Sequence, residues 1–323
     1  MGGMELDRRA FVGLGLAALP ALAGWRVPAG REPLALATAD TEAHVVVVGL
    51  TRGQVQRRVA TVEDPRSIES GPGGQVVVAH PTAGAVSLLS TRPVRVRRVL
   101  RGLGAPRYTA LAPDGRHAFV SDGGRGELVV VDLARGRIVA GVEVGAGARH
   151  LSLDPAGRTL WIALGSSAAA IAVVDVGDPR RPRPRLRRRV RLPFLAHDVA
   201  FSPSGRRVWI TAGRERRLAV LSAAGGRPVL LSADAAPQHV SFGHGVAYVA
   251  SGDGASVRVH ELMHGRVRRT VRVPYGSYNI QAGAGAVVTA SLARGTLTIL
   301  DRAGRVQREV RVAPAAHDAC LLR

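Results

Sequence analysis

Short, mostly apolar runs alternate along the chain with turns that carry glycine, and the turns recur at regular intervals. Pro72-Gly73-Gly74, Pro113-Asp114-Gly115, Pro155-Ala156-Gly157 and Pro203-Ser204-Gly205 share the form Pro-x-Gly. One apolar run precedes each turn and another follows it: Gln75–Ala79, His117–Ser121, Thr159–Ala163 and Val208–Ala212. Glycine supplies the positive φ of a tight turn and the flanks are β-prone, so each unit reads as a hairpin. A third run comes next, as in Leu128–Asp132 and Ala170–Asp175, and then a fourth, as in Ile138–Val144 and Arg189–Leu192. Four short strands per repeat predict the blade of a β-propeller.

Two later copies keep register with less regular turns. Val240–Phe242, the turn Gly243-His244-Gly245, Val246–Ser251 and Val257–His260 make the fifth; Ile280–Ala282, Gly283-Ala284-Gly285, Val287–Ser291 and Leu297–Asp301 make the sixth. The residues two before each first-strand apolar position are Arg66, Arg107, Arg149, His197, Gln238, Tyr278 and His317, separated by 41, 42, 48, 41, 40 and 39 residues. The long step is accounted for by an insertion, Asp178–Arg185. The seventh copy has only a first strand, Ala319–Leu322, while Leu34–Ala39, His44–Val48 and Val55–Val62 supply the three missing strands at the other end. The expectation is an all-β, seven-bladed propeller closed by the C-terminal strand joining three N-terminal ones. A linear β-solenoid has shorter repeats and would not leave complementary fragments at the two termini.

The segments Val199–Thr211 and Leu111–Ser121 resemble the YVTN-type β-propeller repeat, with its apolar-x-apolar strand, Pro-Asp-Gly turn, aromatic second strand and third strand ending in Asp. Asp132, Asp175 and Asp301 stand at that last position, with Ser90, Ser222 and Glu261 near it in other copies. The resemblance implies the propeller fold. Function it leaves open, because such propellers include binding proteins, scaffolds, lactonases, lyases and metal enzymes.

The N-terminus departs from the repeat. Met1–Arg9 is polar, Ala10–Leu22 is apolar with small residues, and Ala21-Leu22-Ala23 offers a small-x-small cleavage site. Asp7-Arg8-Arg9-Ala10-Phe11-Val12 resembles the twin-arginine export motif, with Asp7 in place of the usual Ser or Thr and Gly13 in place of the frequent Lys. Residues 1–23 are therefore expected to be a cleaved export signal and residues 24–323 a single propeller domain. The destination is periplasmic, cell-wall associated or extracellular. No later stretch reads as transmembrane.

Composition adds limits. The 323 residues are 46% hydrophobic and 4% aromatic, and 45 basic against 24 acidic side chains leave +21. Every basic residue is Arg, so the charge reflects a compositional bias as well as possible partners. A basic stripe interleaved with stacking aromatics is missing, which argues against specific nucleic-acid recognition. The segment Arg180–Arg191 holds eight Arg and reads as a solvated, extended loop suited to an anionic envelope polymer. The lone Cys320 excludes an intramolecular disulfide and a Cys-based zinc site, and its neighbours predict a buried, inert thiol.

Candidate chemistry lies where the innermost strands begin. The first column is the register series from Arg66 to His317; the next residues along are Ser67, Tyr108, His150, Asp198, His239, Asn279 and Asp318. Convergent polar groups at a concave rim form a default binding site. The binding candidates are Arg66, Arg107, Tyr108, Arg149, His150, Gln238, His239, Tyr278 and Asn279. Arg66, Arg107 and Arg149 in successive copies would clamp a small anionic ligand. Ala196-His197-Asp198 and Ala316-His317-Asp318 repeat one tripeptide, and these His-Asp pairs are the catalytic candidates. His150, His197, His239 and His317 are the candidates for a divalent metal. Strand alternation favours keeping the two columns apart. The plainer reading gives all these residues to strand-initiating turns and blade packing. A monomeric binding or interaction module is the favoured function, with a small anionic ligand, an envelope polymer or a protein as partner. The alternative is a propeller enzyme, a metal-dependent hydrolase or lyase or a lactonase-like catalyst.

Overall fold

The computed structural model describes residues 32–165 and 168–322. The expected export signal lies outside the described residues. Valine-rich runs such as His44–Gly49 and Gln75–His80 are buried on both faces, which suits strands sandwiched between neighbouring sheets.

These strands assemble into seven four-stranded antiparallel sheets, the blades of a propeller. The innermost strands of blades one to six are Ser67–Gly71, Pro106–Leu111, Leu151–Leu153, Asp198–Phe201, His239–Gly243 and Gln281–Gly283. Blade seven is the composite one. Ala319–Leu321 pairs antiparallel with Leu34–Ala39, matching Ala35 with Leu321 and Ala37 with Ala319. Each innermost strand packs against the next around the ring, and Ala319–Leu321 also packs on Ser67–Gly71. The C-terminal strand thus closes the circle, as the split repeat predicts.

Local turn chemistry sets each hairpin. Gly115 and Gly205 both have φ +68, and their N–H groups donate to Ala112 and Ser202 carbonyls at 2.9 and 2.8 Å. A side chain at that φ would be strained, hence glycine. The core is a series of apolar layers between blades: Phe119, Leu128, Leu160 and Ile162 fill one, and Trp161, Phe201, Val208 and Ile210 the next. Cys320 is fully buried in the layer that joins blades seven and one, beside Leu36 and Ile68. Burial holds its thiol well above the ordinary range.

One reading needs correction. Arg185–Arg191 is the outermost strand of blade three, paired along Ala170–Asp175, so the expected loop ends before Arg185. An outermost strand has no blade beyond it and its exposed face needs no apolar alternation. Its arginines are also engaged: Arg187 pairs with Asp175, Arg188 lies 5.8 Å from the centroid of Trp161, and Arg189 donates to the Val144 carbonyl at 3.1 Å.

Candidate functional site

Register fixed by the inner hairpins brings the second column to one end of the central channel. A cavity of about 590 Å³ runs along the axis; Ser67, Tyr108, His150, Asp198, His239 and Asp318 line one end, and the Pro72, Pro113, Pro155 and Pro203 turns line the other. Asn279 is buried outside this lining, and the first-column residues are also outside it. A second cavity of about 650 Å³, between the outer parts of blades one and two, is lined by Arg92, Arg97 and Arg98 and contains none of the predicted residues.

His150 is held on two sides. Its ring stacks on Tyr108 with centroids 3.4 Å apart, and Nδ1 lies 2.7 Å from the His197 carbonyl. A carbonyl only accepts, so Nδ1 carries the proton and Nε2 keeps its lone pair. That Nε2 is buried without a hydrogen-bond partner. The ring centroid lies 4.8 Å from His197 and 5.3 Å from His239. The two columns are therefore not kept apart, because strands that converge on the channel axis let a side chain from one blade reach the next. Burial, then the charges of His197 and His239, push His150 well below the usual imidazole range. Burial and Arg149 push His197 down to about 3. Both rings are neutral at pH 7.

The Asp of each repeated tripeptide joins two blades. Asp198 accepts the Val199 N–H at 2.7 Å and, from blade five, the Val240 N–H at 2.8 Å. Asp318 does the same with Ala319 at 2.8 Å and Ile68 of blade one at 3.0 Å. Their own N–H groups donate to Thr211 and Thr38 hydroxyls at 3.1 and 3.0 Å. Burial raises both carboxyls, Asp318 to about 6. Asp198 also has His239 Nδ1 3.1 Å from Oδ2, without the alignment of a hydrogen bond. His317 has its Nδ1 2.9 Å from the Arg66 carbonyl, while Asn279 donates to the His317 carbonyl at 3.1 Å. Burial and Arg66 push this imidazole down to about 3.

The first column divides by task. Arg66 pairs with Asp40 at 3.5 Å. Burial outweighs that pairing, and Asp40 is pushed up to about 7. It accepts from the Thr38 hydroxyl at 3.0 Å and the His317 N–H at 3.1 Å. Burial, Arg149 and Arg66, in that order, lower Arg107 below the usual guanidinium value. Tyr108 is pushed up to about 12, chiefly by burial. Gln238 and Tyr278 turn to a loop: Gln238 donates to the Gly213 carbonyl at 2.9 Å and accepts the Gly252 N–H at 2.8 Å, and the Tyr278 hydroxyl donates to Asp253 at 2.9 Å. Asp40 and Asp253 are absent from the sequence columns. Their signal is a small hydroxyl residue followed two places later by Asp, in Thr38-Ala39-Asp40 and Ser251-Gly252-Asp253.

Among the described residues, one donor atom each of His150, Asp198 and His239 lie within 4.8 Å of one another. His197, its ring centroid 4.8 Å from that of His150, and His317 are both outside this trio. Two imidazoles and a carboxylate can hold a divalent ion, or an imidazole backed by a carboxylate can move a proton.

No protein-family model matches the chain, and no curated protein matches its sequence. Solved structures match in fold. A functionally unknown protein from Desulfotomaculum acetoxidans aligns with TM-score 0.78 at 11% identity, over 90% of this chain and 99% of that one. A candidate 6-phosphogluconolactonase from Bacteroides fragilis aligns with TM-score 0.73 at 12% identity, over 90% and 98%. Hydrazine synthase from Kuenenia stuttgartiensis aligns with TM-score 0.72 at 17% identity, over 82% and 91%. At such identities the likeness is one of fold alone.

Proposed function

We propose that this chain is an exported, YVTN-like binding module that takes a small anionic ligand where its innermost strands begin. The observation that carries the reading is the cationic sector itself. Arg66, Arg107 and Arg149 open three successive blades, and Arg107 is held half-buried under the repulsion of the other two. Like charges pressed together in a partly desolvated place favour an anion, and guanidinium groups engage carboxylate, phosphate or acidic sugar through paired donors. Asp40 pairs with Arg66 at 3.5 Å, and burial keeps its ionisation incomplete near pH 7. Export rests on the Arg8-Arg9 segment. The basic outermost strand Arg185–Arg191 adds a surface for an anionic envelope polymer.

Calorimetric titration with citrate, glucuronate and inorganic phosphate tests the reading. At least one should bind, and Arg107→Ala or Arg149→Ala should weaken it about tenfold or more at low salt. Binding of none of them, or binding indifferent to both substitutions, would remove the anion site. The contact between His239 and Asp198 supports a second reading, a hydrolase, lyase or lactonase-like enzyme with His239 as base. Turnover of a lactone that disappears in His239→Ala would put that reading first.

A further inference from the structure

We propose that His150, His239 and Asp198 form a binding site for one divalent transition-metal ion of the zinc or copper(II) class, at the channel end. Three observations converge on it. His150 Nε2 and His239 Nδ1 are both buried without a hydrogen-bond partner, and a donor of Asp198 completes a trio within 4.8 Å. Two orphaned imidazole nitrogens beside a carboxylate are costly unless something accepts their lone pairs.

The surroundings are those of a held ligand. Nδ1–H of His150 donates to the His197 carbonyl at 2.7 Å, which fixes the tautomer and leaves Nε2 to coordinate. Tyr108 stacks on the same ring and limits its rotation. Asp198 is oriented by the Val199 and Val240 N–H groups, yet each oxygen accepts only one of these bonds and keeps a lone pair. A four-coordinate ion with ligands at about 2.1 Å needs donors roughly 3.4 Å apart. His239 Nδ1 already stands 3.1 Å from Asp198 Oδ2, and its side chain, 25% exposed, has room to adjust. Nitrogen and carboxylate donors without thiolate suit zinc or copper(II) better than calcium or magnesium. Three protein ligands leave a position open to the channel cavity, where water or a substrate atom would bind.

The test uses protein without a polyhistidine tag, stripped with chelator and titrated with zinc chloride in buffer holding no small anion but chloride. Failure here is then separate from failure of the anion reading. One ion per chain is expected, with cobalt(II) in its place giving the visible absorption of a nitrogen and oxygen donor set. His150→Ala and His239→Ala should each weaken binding about 100-fold or more, while His264→Ala, at an exposed imidazole, should leave stoichiometry unchanged. Circular dichroism and thermal melting confirm the fold of each variant. If His150→Ala does not fold, the partly exposed His239 decides the matter. No tight ion in the wild type, or an ion that survives His239→Ala, overturns the proposal.

Discussion

The tripeptide Ala-His-Asp begins blades four and seven, and the two copies share one scaffold and differ in what surrounds it. In both, Asp accepts its neighbour's N–H and a backbone N–H of the following blade, and a second-strand Thr receives the Asp N–H. In both, the preceding blade donates a side-chain N–H to the His carbonyl: His150 to His197 at 2.7 Å, Asn279 to His317 at 3.1 Å. The difference lies in the second-column neighbours. Blade four stands between His150 and His239, blade seven between Asn279 and Ser67. The repeated element is thus a joint between blades, and chemistry enters through unrepeated residues beside it. A shared motif is here a poor guide to the site, and its neighbours are a better one.

The largest effect should come from removing the joint itself. Asp198→Ala and Asp318→Ala each strip two backbone N–H groups of their acceptor, and a buried unsatisfied donor costs about 1–3 kcal/mol. Each variant should lose about 3 kcal/mol of stability in denaturant unfolding. Metal binding should separate them, being lost in Asp198→Ala and kept in Asp318→Ala. A neutral Asp318→Ala beside a costly Asp198→Ala would break the claim that the scaffold is shared.

Most of the scaffold is legible in the sequence, because hairpin turns and two-residue alternation are local. Pro113-Asp114-Gly115 needs only its own φ angles, and the closing strand follows from a repeat divided between the termini. The edge of blade three is harder to read. Its end, Arg189–Leu192, reads as a fourth apolar run, but Arg185–Arg188 has an exposed outer face and lacks the apolar alternation that marks a strand. Column membership of His150, His197 and His239 is also legible, since register carries it. Their convergence is not, because it depends on how far neighbouring strands are offset around the axis, which alternation within one strand does not encode. Asp40 and Asp253 escape for a related reason: they follow second strands and meet the innermost column only through the fold.

The comparison can be sharpened by making the two ends alike. Asn279→His should keep the donor to the His317 carbonyl through Nδ1–H and present Nε2 as His150 does. Ser67→His places an imidazole beside Asp318 at the position that His239 holds beside Asp198. The double variant should take up a second zinc ion per chain by elemental analysis, weaker than the first. A folded double variant that still holds only one ion would mean that something other than the second-column neighbours distinguishes blade four.

The smallest expected effect concerns Asp40, which receives the His317 N–H and has no acidic counterpart at Gly213 behind His197. Burial raises Asp40 from an ordinary 3.8 to about 7, against the pull of Arg66 and with a minor push from Asp64. Between those values the folded chain holds a proton at this carboxyl that the unfolded chain has released. Stability therefore falls as pH rises through the interval, and the full penalty is reached above the folded value. Asp40→Asn cannot ionise and escapes that penalty. The melting temperature of the variant relative to the wild type should climb by a few degrees from pH 4 to pH 7.5 and level off beyond. His317, lowered to about 3, adds an opposite trend, since the unfolded chain takes up its proton first as pH falls below about 6.5. That trend is common to both proteins and cancels in the difference. A difference that instead falls with rising pH would mean that Asp40 is ionised and held by Arg66, and the cationic sector would then be better neutralised than burial implies.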